Sequence, residues 1–488
     1  MFVVKLNNPR FEYDVHSLVK AFYPGEIVKV LTPETLEEKR AELECYIKIN
    51  IELKADGALA EIGEEQYTWS YTGKAEDAKS YKDGFKRFLY RSLADYTGKE
   101  LPWGNLTGIR PTKIAMGLLE EGKAEEEIIA FMKEEHYVSD EKAALSLDIA
   151  KREKELLSTV HFDDGYSLYI GIPFCPTTCL YCSFTSYPIC KYRERVEEYI
   201  DCLIKEMEYT AEACKDKILD SVYIGGGTPT TLEADQLDRL FTALKEIFDF
   251  STVQEFTVEA GRADSITREK LEVLKKHQVD RISINPQTMK QETLKLIGRQ
   301  ATVAQVKEAY AMAREVGDFN INMDIILGLP GETKEDVQNT IDEIVAMKPE
   351  SLTVHSLAIK RASKLSQWIT ENGIETINNT DETMEIAAKG AKDLHMQPYY
   401  LYRQKNMSGN FENVGYAIEG NYGLYNILIM EEKQTIVALG AGSITKVVYP
   451  DGRIERADNV KDVALYIEKI DEMIQRKQSL LEMERKSV

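Results

Sequence analysis

From about residue 164 to 365 the chain repeats one unit six times: a short apolar run, then an amphipathic stretch with helical spacing. The runs are Ser167–Ile172, Ser221–Ile224, Glu255–Glu259, Arg281–Asn285, Asn320–Leu327 and Ser351–Leu357. Between the first two, Val196, Tyr199, Ile200, Leu203 and Met207 mark one face of a helix. Strands joined by helices in series pair in parallel, because each helical crossover returns the chain to the same end of the sheet. Six such units predict an α/β fold, a partial (β/α)6 barrel left open on one side, with its chemistry at the C-terminal ends of the strands.

Residues 1–160 read as an N-terminal α+β domain. Ile47, Ile49, Ile51 and Leu53 alternate with Lys48, Asn50, Glu52 and Lys54, a strand exposed on one face, with Tyr67, Trp69 and Tyr71 as its antiparallel neighbour. Helices are expected near 75–97, 111–121, 124–134 and 139–157. Pro111 is placed to open one of them, and Arg110 and Lys113 either hold an anion there or carry incidental charge. The barrel is expected over 161–365. Residues 366–488 read as a C-terminal α/β extension in which Leu428–Ile429 and Thr435–Leu439 form a hairpin, Gly440–Gly442 a tight turn and Val460–Leu481 a closing helix.

Composition narrows the function. With 82 acidic against 61 basic residues the net charge is −21, which repels a phosphate backbone unless a local basic stripe overrides it. The one concentration of that kind is Lys74, Lys79, Lys82, Lys86, Arg87 and Arg91, on a helix whose other face carries Tyr81, Phe85, Phe88 and Leu89. It is either a solvated helix face or a docking site for RNA or an acidic electron donor. No apolar run is long enough to span a bilayer, and the opening Met-Phe-Val-Val-Lys lacks the basic-then-apolar design of a signal segment. Seven cysteines, three of them clustered, point to a reducing cytoplasm rather than a disulfide scaffold.

Those three are Cys175, Cys179 and Cys182, in the loop after the first predicted strand. A CxxxCxxC triplet supplies thiolates for three corners of a cubic [4Fe–4S] cluster and leaves the fourth iron for an amine and carboxylate from outside. Zinc sites close their shell with a second Cys or His pair, and none follows. Gly225-Gly226-Gly227-Thr228 directly follows the second strand, where missing Cβ atoms let backbone approach a ligand. Glu259 ends the third strand and Asp324 lies in the fifth, carboxylates suited to ribose hydroxyls or an ammonium. Gln287 and Arg299 follow the fourth. Cys45, Cys190, Cys202 and Cys214 read as small buried hydrophobes. His355, in the sixth strand, reads as a hydrogen-bonded core residue, with proton donor or haem ligand as the alternatives. His395 has no supporting context.

Together, Tyr169–Cys175, Gly225–Thr230, Glu259, Arg281–Gln287 and Asn322–Pro330 resemble the oxygen-independent coproporphyrinogen III oxidases (dehydrogenases), a family of radical S-adenosylmethionine enzymes. The resemblance is to the HemZ-type branch, whose extra N-terminal region contains Leu-Thr-Gly-Ile-Arg-Pro-Thr-Lys, here Leu106–Lys113. It implies a [4Fe–4S] cluster on Cys175, Cys179 and Cys182. It also implies that Tyr169, Gly226 and Glu259 contact a cluster-bound S-adenosylmethionine. Tyr181, Gly227, Thr228, Gln287, Arg299 and Asp324 match positions that bind a second molecule. The implied reaction converts propionates of a tetrapyrrole to vinyl groups in porphyrin and haem biosynthesis. A low-potential donor such as flavodoxin or ferredoxin supplies electrons, and an outside acceptor removes the surplus one.

One departure stands out. The oxidases continue as CxxxCxxCxC, and the last position here is Phe184. The same change marks a sister group resembling haem chaperones, which carry a His-Asn motif followed by Tyr-Trp. Here the matching neighbourhood reads Asn406-Met-Ser-Gly or Tyr425-Asn426, without His or Trp. A haem-binding carrier of the same family is therefore the alternative to the oxidase.

Overall fold

The computed structural model describes all residues except 36, 74–76, 109, 361–362, 374–375, 405–406, 408–410 and 488. Lys74, Ile109 and, of the Asn406 motif, Asn406, Ser408 and Gly409 therefore lie outside the described residues. Contacts divide the chain into two compact units, Met1–Lys151 with Tyr402–Asn410, and Arg152–Leu401 with Phe411–Val488.

The first unit is a five-stranded sheet, order β2-β1-β3-β4-β5, covered by helices. Its strands are β1 (Phe2–Leu6), β2 (Val28–Leu31), β3 (Ile47–Lys54), β4 (Gly57–Ile62) and β5 (Glu65–Ser70). In β3 the alternation works as read, with Ile49 and Ile51 buried and Lys48 and Glu52 exposed. Its antiparallel neighbour is β4, however, and β5 with Tyr67 and Trp69 pairs on the far side of β4. The cause is the two-residue turn Ala55-Asp56, which sets Lys54 opposite Gly57 and folds β4 straight back on β3. The helix Ala78–Thr97 starts on Asp77, whose side chain accepts from Ser80 N, and stops at left-handed Gly98. Tyr81, Phe85, Phe88 and Leu89 are buried as expected. Two of its basic residues are answered locally: Lys82 pairs with Asp14 at 3.0 Å and Arg87 with Glu135. Pro111 precedes the helix Thr112–Glu120.

The second unit holds an eleven-stranded sheet. In chain order its strands are β6 (Gly165–Ile172), β9 (Ile218–Gly226), β10 (Glu255–Val258), β11 (Arg281–Ser283), β12 (Asn320–Leu327), β13 (Ser351–Ser356), β14 (Gln397–Tyr402), β15 (Asn413–Ala417), β16 (Thr435–Leu439), β17 (Ile444–Val448) and β18 (Ile454–Asp458). A separate two-residue pair, β7 (Phe174–Cys175) and β8 (Tyr187–Pro188), lies in the cysteine loop. The six expected strands β6, β9, β10, β11, β12 and β13 run parallel in that order. Their Leu168, Ile170, Val222, Ile224, Ile321 and Met323 are fully buried and share a core with Ile200, Leu203 and Met207 of the helix Val196–Ala213.

Residues 366–488, read from the sequence as a C-terminal α/β extension, add strands to this sheet at both edges. β15 pairs antiparallel with β13, while β16 pairs parallel with β6 as a seventh parallel strand. The expected hairpin is absent: Leu428–Ile429 lies in the helix Leu424–Glu431, and β16 turns at Gly440–Gly442 into β17. That helix docks on the starts of the strands. Glu255, the first residue of β10, accepts from Leu424 N at 2.7 Å and Tyr425 N at 3.2 Å, closing the barrel end opposite the cysteine loop. The closing helix is split into Val463–Glu468 and Ile470–Ser487. Cys214 is buried and Cys202 half-buried, but Cys45 and Cys190 are exposed, against expectation, because each sits in a short surface turn.

Candidate functional site

The cysteine loop leaves β6 at Ile172 and has little regular structure, so side chains and neighbouring loops hold it. Leu180 N donates to Ile297 O at 2.9 Å, Thr177 Oγ1 to Gly298 O at 2.8 Å, and Leu365 N to Leu180 O at 3.0 Å. Pairing of β7 with β8 sets Cys175 opposite Pro188. Burial raises the Cys175 thiol to about 11 against a hydrogen bond from Thr228, and it raises Cys182 as well. An iron-bound thiol would lose its proton outright.

The glycine run packs on the start of this loop. Gly227 N donates to Ile172 O and Thr228 N to Phe174 O, both at 2.7 Å. A Cβ on Gly227 would lie 2.5 Å from Phe174 O, and Gly226 has φ +104. The glycines are thus needed for protein–protein approach, and the amides of Gly227 and Thr228 are already engaged. What Thr228 offers is its hydroxyl, 3.5 Å from Cys175 Sγ.

Beyond the glycines, the strand ends present polar groups on the face turned away from the helices. Glu259 follows β10 and accepts from the Tyr223 hydroxyl. Burial pushes its carboxyl up to about 7, the Tyr223 bond opposes this, and the nearby Asp324 charge adds to it. Tyr223 stacks on Tyr425, centroids 4.3 Å apart, and Tyr169 stacks on both at 6.1 Å. Burial would raise Asp324 too, yet hydrogen bonds from His355, Asn322 and Thr353 hold it below the usual carboxylate range. His355 Nε2 lies 3.7 Å from Asp324 Oδ2, and Asn322 Nδ2 2.6 Å from Asp324 Oδ1.

Gln287 has φ +65 in a bridge to β12, with Gln287 N donating to Asp324 O at 2.9 Å. This strained backbone carries a buried side chain whose Oε1 has no hydrogen-bond partner. Arg299 Nη1 donates to Asn285 O at 2.5 Å and Gly261 O at 3.2 Å, and its Nη2 reaches the Tyr181 hydroxyl at 3.4 Å. Arg299 therefore braces three loops instead of extending a free fork.

The nine residues from Tyr169 to Asp324 named above thus fall into linked groups: Tyr169 with Tyr223 and Glu259, Gly226 to Thr228 with the cysteine loop, Tyr181 with Arg299, and Gln287 with Asp324. Tyr223 and Arg262 were not singled out from the sequence, and Asn285, Asn322 and Tyr425 entered only inside longer motifs, without a role of their own. Asn320-Ile-Asn-Met-Asp324 carried a readable signal for part of this set, a polar alternation inside an apolar strand. Arg262 carried none, since nothing in its surroundings marks a buried arginine.

Among the described residues no three His, Cys, Asp or Glu side chains converge on one ion position. A cubane puts each thiolate on a different iron, so its donors stay spread. The donor set suits such a cluster: three thiols of one loop, no fourth protein ligand in it, and at the strand ends an unsatisfied Gln287 Oε1 and a partly protonated Glu259.

The Radical SAM superfamily model matches residues 169–344. The oxygen-independent coproporphyrinogen-III oxidase-like protein HemZ of Bacillus subtilis (strain 168) is 39% identical over 445 residues, 90% of this chain and 88% of that protein. The heme chaperone HemW of Lactococcus lactis subsp. lactis (strain IL1403) is 31% identical over 278 residues, 57% of this chain and 68% of that one. Among solved structures, coproporphyrinogen III oxidase (HemN) from Escherichia coli aligns with TM-score 0.52 at 21% identity, covering 66% of this chain and 72% of that one, a likeness of fold.

Proposed function

Because this chain belongs to the radical SAM family of HemZ-type, oxygen-independent coproporphyrinogen-III oxidase-like proteins, we propose that it oxidatively decarboxylates propionates of coproporphyrinogen III to vinyl groups, giving protoporphyrinogen IX. The family carries a [4Fe–4S] cluster and S-adenosylmethionine, which together supply the hydrogen-abstracting radical when bound. Cys175, Cys179 and Cys182 hold the cluster. Glu259, fixed by the Tyr223 hydroxyl, takes the cofactor ammonium, and Tyr169 and Gly226 line its approach. Gln287 Oε1 and the ionised Asp324 offer acceptors to a second cofactor molecule beside Tyr181, Thr228 and Arg299. Each propionate gives up one β-hydrogen atom, one carbon dioxide and one electron. A low-potential flavodoxin or ferredoxin type of donor and a separate acceptor complete the electron balance in a reducing cytoplasm. Among the described residues no helix is long and apolar enough to cross a membrane.

The observation that carries this reading is the gathering of a three-thiol loop and two half-buried carboxylates of opposite pKa shift at one end of a parallel barrel. The test is anaerobic incubation of reconstituted protein with reductant, S-adenosylmethionine and coproporphyrinogen III, with products identified by mass. Loss of two carbon dioxide units is expected. Release of 5′-deoxyadenosine with the tetrapyrrole intact would contradict it.

A second reading, a haem-binding carrier, is favoured by Phe184: its side chain is 71% exposed where the oxidases place a fourth cysteine. Stoichiometric haem binding and transfer to an apo-acceptor, without porphyrinogen turnover, would select it.

A further inference from the structure

We propose that Arg262 is a positioning residue that braces the cysteine loop and raises the reduction potential of a cluster held there. This rests on reading the loop as a cluster site. Arg262 lies in the loop after β10, three residues past Glu259, and its side chain is 4% exposed. Two of its nitrogens are committed to Asp264: Nε donates to Oδ1 at 3.0 Å and Nη2 to Oδ2 at 2.6 Å, a bidentate fork. The remaining Nη1 points at the cysteine loop. It donates to Thr177 O and Thr177 Oγ1, each at 3.0 Å, and reaches Cys179 Sγ at 3.7 Å, within hydrogen-bonding range for sulfur. Thr177 is in turn fixed on Gly298 O. The guanidinium thus joins the loop after the first strand to the loop after the third, with one N–H aimed at a thiol assigned to iron.

Asp264 balances the formal charge, so the effect on the metal comes from the orientation of the pair, with its cationic end toward sulfur. Reduction adds a negative charge to a cluster already carrying three thiolates. A donor directed at one of those sulfurs stabilises the reduced form more than the oxidised form, and the potential rises. Asp264 acts in the opposite direction. The two members of one ion pair therefore shift the potential with opposite signs, a result that a purely structural brace does not produce.

The experiment is an EPR-monitored redox titration of the anaerobically reconstituted full chain, without S-adenosylmethionine, for wild type, Arg262→Gln and Asp264→Asn. In Arg262→Gln reduction should be at least about tenfold less favourable, a fall of about 59 mV for one electron. In Asp264→Asn the midpoint should rise. Should Arg262→Gln fail to hold its cluster, Asp264→Asn decides alone: a rise supports the assignment, and an unchanged or lower midpoint overturns it. Two variants that titrate with wild type, or that move together, overturn it while leaving the cluster reading intact. Wild-type protein with no [4Fe–4S] signal overturns the cluster reading and this assignment with it.

Discussion

Both units are built on strands with a period-two alternation, yet they use it in opposite ways. In the N-terminal sheet Ile49 and Ile51 of β3 form a core with Val15, Leu18 and Phe85, and the polar partners face water. In β12, Ile321, Met323 and Ile325 pack outward on the helices, while Asn322 and Asp324 turn the other way and bond to Thr353, His355 and Asn285. An apolar inward face makes a core and requires nothing more. A polar inward face carries a desolvation cost that a self-contained fold would not retain, and here it surrounds the strand ends nearest the cysteine loop. The charged helix of the first unit shows the same contrast from the other side. Its Lys82 and Arg87 pair with Asp14 and Glu135, which reduces the basic footprint that RNA binding would need.

The largest expected effect tests whether the barrel end is the reactive one. Cys179→Ala should lower bound iron from about four per chain to near zero after reconstitution and abolish S-adenosylmethionine cleavage. The far-UV circular dichroism should stay native, and a protein that kept its iron would remove the basis for the site.

Next in size is a buried pair that holds the C-terminal segment on the barrel. Lys477 Nζ meets Glu206 Oε1 at 2.5 Å with both side chains almost fully buried, and Glu206 also accepts from Tyr466, Gly440 and Asn459. Glu206→Ala leaves an uncompensated buried ammonium and should cost about 3–5 kcal/mol, read as a lower denaturant midpoint. A loss under 1 kcal/mol would mean that the segment docks by apolar contact alone.

Glu259 gives the barrel a pH signature of its own. Its folded-state value of about 7 lies above the ordinary range near 4.3. Between those values the folded protein binds more protons than the unfolded chain, so stability is full below about 4.3 and falls as pH rises through 7. The total is about 4 kcal/mol. Denaturation at several pH values should show this slope in wild type and not in Glu259→Gln. Affinity for S-adenosylmethionine, by contrast, should rise through the same window, because the carboxylate is the form that binds an ammonium.

The smallest effect belongs to the first unit. Lys82 is 44% exposed, so Lys82→Ala should change stability by less than about 1 kcal/mol, and the wild-type chain should not retain RNA even at low salt. Strong salt-sensitive retention would restore the basic helix as a binding surface.

What could be read from the sequence follows the range of the interactions involved. The six parallel strands, the helix faces and the cysteine triplet are local patterns, and each is written in consecutive residues. β16 could not be recognised as a neighbour of β6 because Thr435 pairs with Tyr166 across most of the chain. Tyr425 joining Tyr169 and Tyr223, and Lys477 meeting Glu206, are likewise set by tertiary closure. The glycine run was found for an incomplete reason: its amides serve Ile172 and Phe174 before they can serve a ligand. Arg262 was invisible because a buried arginine is spelled like an exposed one.

The reversed alternation matters only if one corner of a cluster on Cys175, Cys179 and Cys182 stays open to a small molecule. EPR of the anaerobically reduced protein, before and after adding S-adenosylmethionine, tests this directly. A [4Fe–4S] spectrum that shifts on addition is the expected result; a spectrum that stays unchanged at saturating cofactor, or a loop that takes up zinc and no iron, would contradict it.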